Sequence, residues 1–106
     1  MDMIFAEISE DVTADIRMSA FADRFGMTGA TFSRFFHRNC GMNFSHYVRK
    51  NRIGHACSLL QDTDLKIVDV AADSGFRNLS LFNRQFRAET GKTPQQYRKL
   101  ARGLSA

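Results

Sequence analysis

Tryptophan is absent from this chain, proline occurs once, at Pro94, and cysteine twice. One proline and seven glycines in 106 residues leave few chain breakers. That disfavours a turn-rich all-β fold and favours helices. Cys40 and Cys57 are 17 positions apart, with no Cys-x-x-Cys. No disulfide framework is implied, and a reducing cytoplasm fits. No apolar run approaches the ~18 residues of a membrane span. The first basic residue is Arg17, so the chain does not open as a signal peptide does. Also missing are a Gly-rich phosphate loop, a paired-carboxylate cleft and a nucleophile–base arrangement. The expectation is a protein that is not an enzyme and needs no cofactor. His37, His46 and His55 are spaced by nine, which sets successive ones on opposite helix faces, so no metal site is expected.

What is present is basic and uneven. The net charge is +4 and the pI about 9.5. Residues 1–15 hold five acids and no base, so all fifteen Lys and Arg fall in the remainder, against six acids. From Arg77 onward there are seven basic residues and only Glu89 opposes them. Such asymmetry is the electrostatic footprint of a polyanion binder. A hydrophobic content of 43% is enough for a core in one domain, or in two small subdomains sharing a connection.

Apolar residues recur at helical spacing almost throughout. Ile4, Phe5, Ile8 and Val12 predict a first helix over about residues 2–12. Met18, Phe21, Ala22 and Phe25 predict a second, stopped at Gly26. Thr28 can cap a third, running to about Asn39 before Gly41. Asn43 can cap a long fourth helix that fades at about Gln61. Ile67, Val70 and Ala71 mark a fifth, ending at Gly75. Asn78 can cap a sixth, to about Thr90 before Gly91. Thr93, Pro94 and Gln96 open the seventh with a capping box and a proline at its first position, and it runs to about Arg102. The expected class is all-α: seven helices forming two helix-turn-helix subdomains joined by a long central helix. The boundaries are 1–42 for the first subdomain, 43–61 for the linker helix and 62–106 for the second subdomain.

A repeat makes this specific. Phe32, Arg34, Phe36, Gly41 and Tyr47 recur 50 positions later as Phe82, Arg84, Phe86, Gly91 and Tyr97. Ala22 and Gly26 recur 49 positions later as Ala71 and Gly75. Each half therefore has a short helix, a Gly-containing turn and a second helix. Met27 and Phe76, each just after its glycine, are expected to plug the turn. With Ala30 at zero and about 100° per residue, Phe32, Phe35 and Phe36 fall near 200°, 140° and 240°. Ala30, Ser33, Arg34 and His37 take the opposite face. In the second copy Phe82 and Phe86 point in, and Ser80, Asn83, Arg84 and Arg87 point out.

A front of small polar residues around one arginine suits a DNA major groove. Arg can donate two bonds to guanine O6 and N7, and Asn can pair with adenine N6 and N7. Thr28 and Asn78 stand where helix N-termini approach phosphates. His37, Arg38, Arg77 and Arg87 fit the groove edge. A linker helix of ~17 residues is ~25 Å long, able to hold two reading helices about one DNA turn, ~34 Å, apart. The rival reading is a helical protein-interaction module whose basic surface meets an acidic partner.

These residues together resemble the DNA-binding domain of the AraC/XylS transcription regulators, over residues 4–102. The most specific stretch is Ile67-Val68-Asp69-Val70-Ala71, then Gly75-Phe76, Phe82, Arg84, Phe86, Gly91, Thr93-Pro94 and Tyr97-Arg98. In the long helix, Tyr47, Arg52-Ile53, Ala56 and Leu59-Leu60 also fit. The resemblance implies a bacterial, cytoplasmic, nucleoid-associated regulator of transcription. It would bind promoter or operator DNA as duplex, with helices three and six in successive major-groove segments. It places base contacts on Ala30, Ser33, Arg34, Leu79, Ser80, Asn83 and Arg84. Of these, Leu79 projects nearer the inward side. Leu79 also departs from the family's frequent Gln, and can read a thymine methyl or nothing. Arg17 and Lys66 replace the common Ser caps, with Asp15 and Asp64 placed to offset them. Gly54 interrupts the long helix, allowing either flexing or close packing. From their spacing, Asp69 and Asp73 share one face of helix five and are expected to be solvated, with RNA polymerase the alternative contact. The isolated domain is expected to be monomeric, with no membrane association; the chain fits either a stand-alone regulator or, as the preferred reading, a domain excised from the C-terminal end of a longer one.

Overall fold

The computed structural model describes residues 2–10 and 17–103. Val12, expected at the end of the first helix, and Asp15, expected opposite Arg17, lie outside the described residues. Seven helices and no strand are present among those described: α1 (Asp2–Glu10), α2 (Met18–Arg24), α3 (Gly29–Cys40), α4 (Phe44–Asp62), α5 (Ile67–Asp73), α6 (Leu79–Thr90) and α7 (Pro94–Ala101). They form two compact units, residues 1–51 and 52–106, with the border inside α4.

In the first unit the apolar stripes of α1, α2, α3 and the start of α4 meet in one core. Ile4, Ile8, Phe21, Ala22, Phe32, Phe36, Phe44 and Val48 are buried there. The core is largely aromatic: Phe36 lies 5.3 Å from Phe44 and 5.5 Å from Tyr47, both edge-on. Edge-to-face contact suits the ring quadrupoles. Two polar ties hold α1 in place. Arg24 donates from Nη1 and Nη2 to Glu7 Oε2 and Oε1 at 2.5 and 2.9 Å. Ser9 Oγ donates to Asn51 Oδ1 at 3.1 Å.

The second unit repeats the plan. Ile53, Ala56 and Leu60 of α4 pack with Val70, Ala71, Phe76, Phe82 and Phe86. Tyr97 meets Phe86 edge-on at 5.5 Å, as Tyr47 meets Phe36. The repeated tyrosine thus lies in the first turn of α4 and of α7, where it packs on the back of α3 and of α6.

Both turns use one device. Met27 N–H donates to Ala22 O and Gly26 N–H to Asp23 O. Phe76 N–H donates to Ala71 O and Gly75 N–H to Ala72 O in the same pattern. This pairing is the Schellman stop, which needs a left-handed residue. Gly26 and Gly75 supply it at φ 64° and 90°. Phe76 is buried against Phe82 at 5.1 Å, and Met27 packs on the first core, as expected of plugs.

Capping follows the sequence. Thr28 accepts from Thr31 N–H, Asn43 from His46 N–H and Asn78 from Leu81 N–H. Thr93 and Gln96 form a reciprocal box. Arg17 and Lys66 make no side-chain cap bond. Asp64, two residues before Lys66, pairs with Arg102 Nη1 at 2.7 Å. Arg102 also donates to the carbonyls of Gln61 and Thr63, and Arg98 Nε donates to Leu60 O at 3.0 Å. Two arginines therefore satisfy carbonyls that the end of α4 leaves open, where cations also suit the helix dipole.

Gly54 is exposed, and a Cβ there meets nothing within 4 Å. Close packing is therefore not its reason. Gly54→Ala is expected to stabilise the fold by about 1 kcal/mol, seen as a rise in Tm of about 5 °C. The ion pairs generate a second expectation. Hydrogen bonds from Arg24 and Arg102 hold the carboxyls of Glu7 and Asp64 below their ordinary values of 4.5 and 3.8. The unfolded chain then binds more protons in that window, so this stabilisation is present above the ordinary values and lost as pH falls through the depressed ones. Glu7→Gln should lower Tm at neutral pH, with the difference from the parent vanishing in strong acid.

Candidate nucleic-acid interface

The interface follows from what the cores bury. Phe32 and Phe36 are wholly inaccessible on α3, as are Phe82 and Phe86 on α6. Burial of that stripe turns the opposite face of each helix outward. On α3, Ala30, Thr31, Arg34, His37 and Arg38 are exposed, with Ser33 half-buried at the margin. On α6, Leu79, Ser80, Asn83, Arg84 and Arg87 are exposed, with Arg77 just ahead of the cap. Within each unit, the expected contact residues therefore gather along one helix and its approach. Leu79 is the departure: it is 38% exposed, although its projection placed it nearer the inside. It opens the helix and has no preceding turn to cover it.

Both faces are electrostatically open. The α3 segment contains no acid, and α6 only Glu89. Arg38, Arg77, Arg84 and Arg87 make no hydrogen bond or ion pair among the described residues. By contrast, Arg98 and Arg102 are committed to α4, so the C-terminal charge run is not all available to a ligand.

The caps are also partly committed. Thr28 Oγ1 accepts from Thr31 N–H at 3.1 Å and donates to Thr31 Oγ1 at 2.9 Å. Arg34 Nη2 reaches the same Thr31 oxygen at 3.5 Å, a long and weak hydrogen bond. Asn78 accepts from Leu81 N–H at 2.8 Å through Oδ1, which leaves its amide NH₂ for other acceptors. Sequence reasoning passed over Thr31. The signal was there, because residues 28, 31 and 34 are each three apart and share a helix face.

Other candidates have ordinary surroundings. Cys40 and Cys57 are free thiols. Burial pushes the Cys57 thiol above its ordinary value, which keeps it protonated and weakly reactive. No group of three His, Cys, Asp or Glu among the described residues could hold a metal ion. No helix of the described residues is long and apolar enough to cross a membrane.

Two tandem helix-turn-helix units with outward basic faces define a class, and comparison with known proteins narrows it. The helix-turn-helix domain family matches residues 21–100. The transcriptional activator RhaR of Yersinia pseudotuberculosis is 31% identical over 99 residues. That match takes in 93% of this chain but 34% of RhaR, so the chain spans about a third of the length of such relatives. The C-terminal domain of the response regulator yesN from Fusobacterium nucleatum superposes with a TM-score of 0.85 at 28% identity, covering 92% of this chain and 95% of that one. The DNA-binding domain of the global transcriptional factor AdpA, solved in complex with a target DNA, gives 0.89 at 26% identity, covering 96% and 92%. The chain belongs to the AraC-type helix-turn-helix family.

Proposed function

We propose that this chain binds duplex DNA in a sequence-specific way to regulate bacterial transcription, with α3 and α6 entering successive major-groove segments. The observation that carries this is the doubled face. Two helices, each sealed behind by two buried phenylalanines, present small polar residues around an exposed arginine. The likeness to a domain solved on its target DNA supports it.

On this reading Arg34 and Arg84 are the main base readers, each able to grip a guanine edge. Ala30, Ser33, Leu79, Ser80 and Asn83 line the same fronts. Thr28, His37, Arg38, Arg77, Asn78 and Arg87 set the register on phosphates, with Thr28 contributing through the N-terminus of its helix, since its hydroxyl is occupied. Their fronts differ, so the site is two unequal half-sites in direct order. The site of action is the cytoplasm, on nucleoid DNA, and the isolated domain acts as a monomer. On α5, Asp69 and Asp73 are exposed beside Val68, itself 52% exposed, which provides an acidic and apolar contact for RNA polymerase.

Selection from a random duplex pool, followed by titration of the selected site, tests this. Arg84→Ala should cost about 1–3 kcal/mol on that site and relax preference at one base pair. Equal losses on selected and random duplex would remove Arg84 from base reading. Arg38→Ala should instead weaken selected and random duplexes alike, with the slope of log affinity against log salt reduced by about one. Absence of duplex binding even at low salt would favour the protein-interaction reading.

A further inference from the structure

We infer that Thr31 is a positioning residue for Arg34, and that the first unit therefore discriminates bases more sharply at its arginine than the second does. This rests on the DNA-reading role proposed for α3. Thr28, Thr31 and Arg34 stand three residues apart, and their polar atoms form one chain. The Thr28 hydroxyl donates to Thr31 Oγ1 at 2.9 Å while accepting the Thr31 N–H at 3.1 Å. These two bonds fix where Thr31 Oγ1 lies, and Thr31 is β-branched, with little freedom at χ1. Arg34 Nη2 reaches this fixed oxygen at 3.5 Å. The contact is long, but it is directed, and it narrows the arrangements of a side chain that is otherwise exposed.

In the second unit the position equivalent to Thr31 is Leu81, which turns into the core and offers no acceptor. Asn78 caps Leu81 N–H, but no chain runs on to Arg84. Arg84 makes no hydrogen bond or ion pair among the described residues. It must be ordered wholly by the DNA, whereas Arg34 arrives partly ordered. Pre-organisation lowers the ordering cost of the correct contact and strengthens discrimination against misaligned ones.

The test compares the parent with Thr31→Val, Thr31→Ser, Thr31→Ala, Arg34→Ala and the Thr31→Val/Arg34→Ala double variant. Each is put through selection from a random duplex pool and anisotropy titration on the selected duplex. The step read by Arg34 is the one whose base preference Arg34→Ala flattens. Thr31→Val and Thr31→Ala should reduce the base preference at that step by about threefold. They should leave the Arg84 step, the salt slope, random-duplex affinity and Tm essentially unchanged. Thr31→Ser, which keeps the hydroxyl, should retain the parent preference. In the Arg34→Ala background Thr31→Val should have no further effect. Parent-like preference in Thr31→Val and Thr31→Ala, with Arg34→Ala still flattening its step, overturns the positioning role alone. A further loss in the double variant also overturns it, because Thr31 would then act without Arg34. If Arg34→Ala flattens no step, the DNA-reading role of α3 fails, and this inference with it.

Discussion

Each unit depends on a pair of phenylalanines with no access to water: Phe32 and Phe36 in one, Phe82 and Phe86 in the other. Truncating a buried phenylalanine typically costs about 3–5 kcal/mol. A small domain has only about 5–15 kcal/mol of net stability. The back of each reading helix is therefore close to non-negotiable, and rotation about the helix axis is fixed by it. The front carries no such constraint. Exposed substitutions away from special features usually fall within about 0.5 kcal/mol. That contrast explains why the two copies agree in Phe, Gly and Tyr yet differ along the outward face except at the shared arginine, Arg34 or Arg84.

The turns convert this rotational constraint into a fixed crossing. In both units the Schellman stop uses an alanine carbonyl, Ala22 or Ala71, as the acceptor of the bond that reaches back five residues. Both alanines are buried. The same residue thus ends the first helix and adds little bulk in the core where the second packs. The plug that follows differs in depth. Phe76 is buried, whereas Met27 is half-buried and Phe25, before the glycine, stays 38% exposed. At the position of Phe25 the second unit has Ser74, whose hydroxyl is buried without a partner. The copies share a scaffold but not a uniformly equal finish.

Much of this was legible because helices announce themselves locally. Thr28, Asn43, Asn78 and Thr93 were readable as caps, and Gly41 and Gly91 as helix ends, from residue type and spacing alone. The inward stripe followed from a period of 3.6 residues. Three features were not legible, each for a physical reason. Leu79 projects toward the core stripe, but a first-turn residue lacks the preceding turn that would cover it. Arg98 and Arg102 look like free charge, yet they bond carbonyls 38 to 41 residues away in sequence, which no local window reveals. Gly54 allowed two explanations, and only the empty space around a Cβ removes one of them.

The commitment of Arg98 and Arg102 changes how the basic composition is understood. Exposed charge drives binding to a polyanion only where it is not already held by the protein. Once the α4-binding pair is set aside, the exposed and unpartnered arginines of the reading helices are unevenly divided. Arg77, Arg84 and Arg87 lie on or just before α6, and Arg38 on α3. Arg34 is the exception, drawn toward the Thr28–Thr31 hydroxyls. On the proposed reading the units then share the work unequally. The second brings more exposed, unpartnered arginine charge and would contribute more to salt-sensitive affinity. The first brings less charge but a partly ordered arginine and contributes more to discrimination. A tandem of identical units could not separate these two properties, and the divergence of the outward faces over a common aromatic back is what permits it.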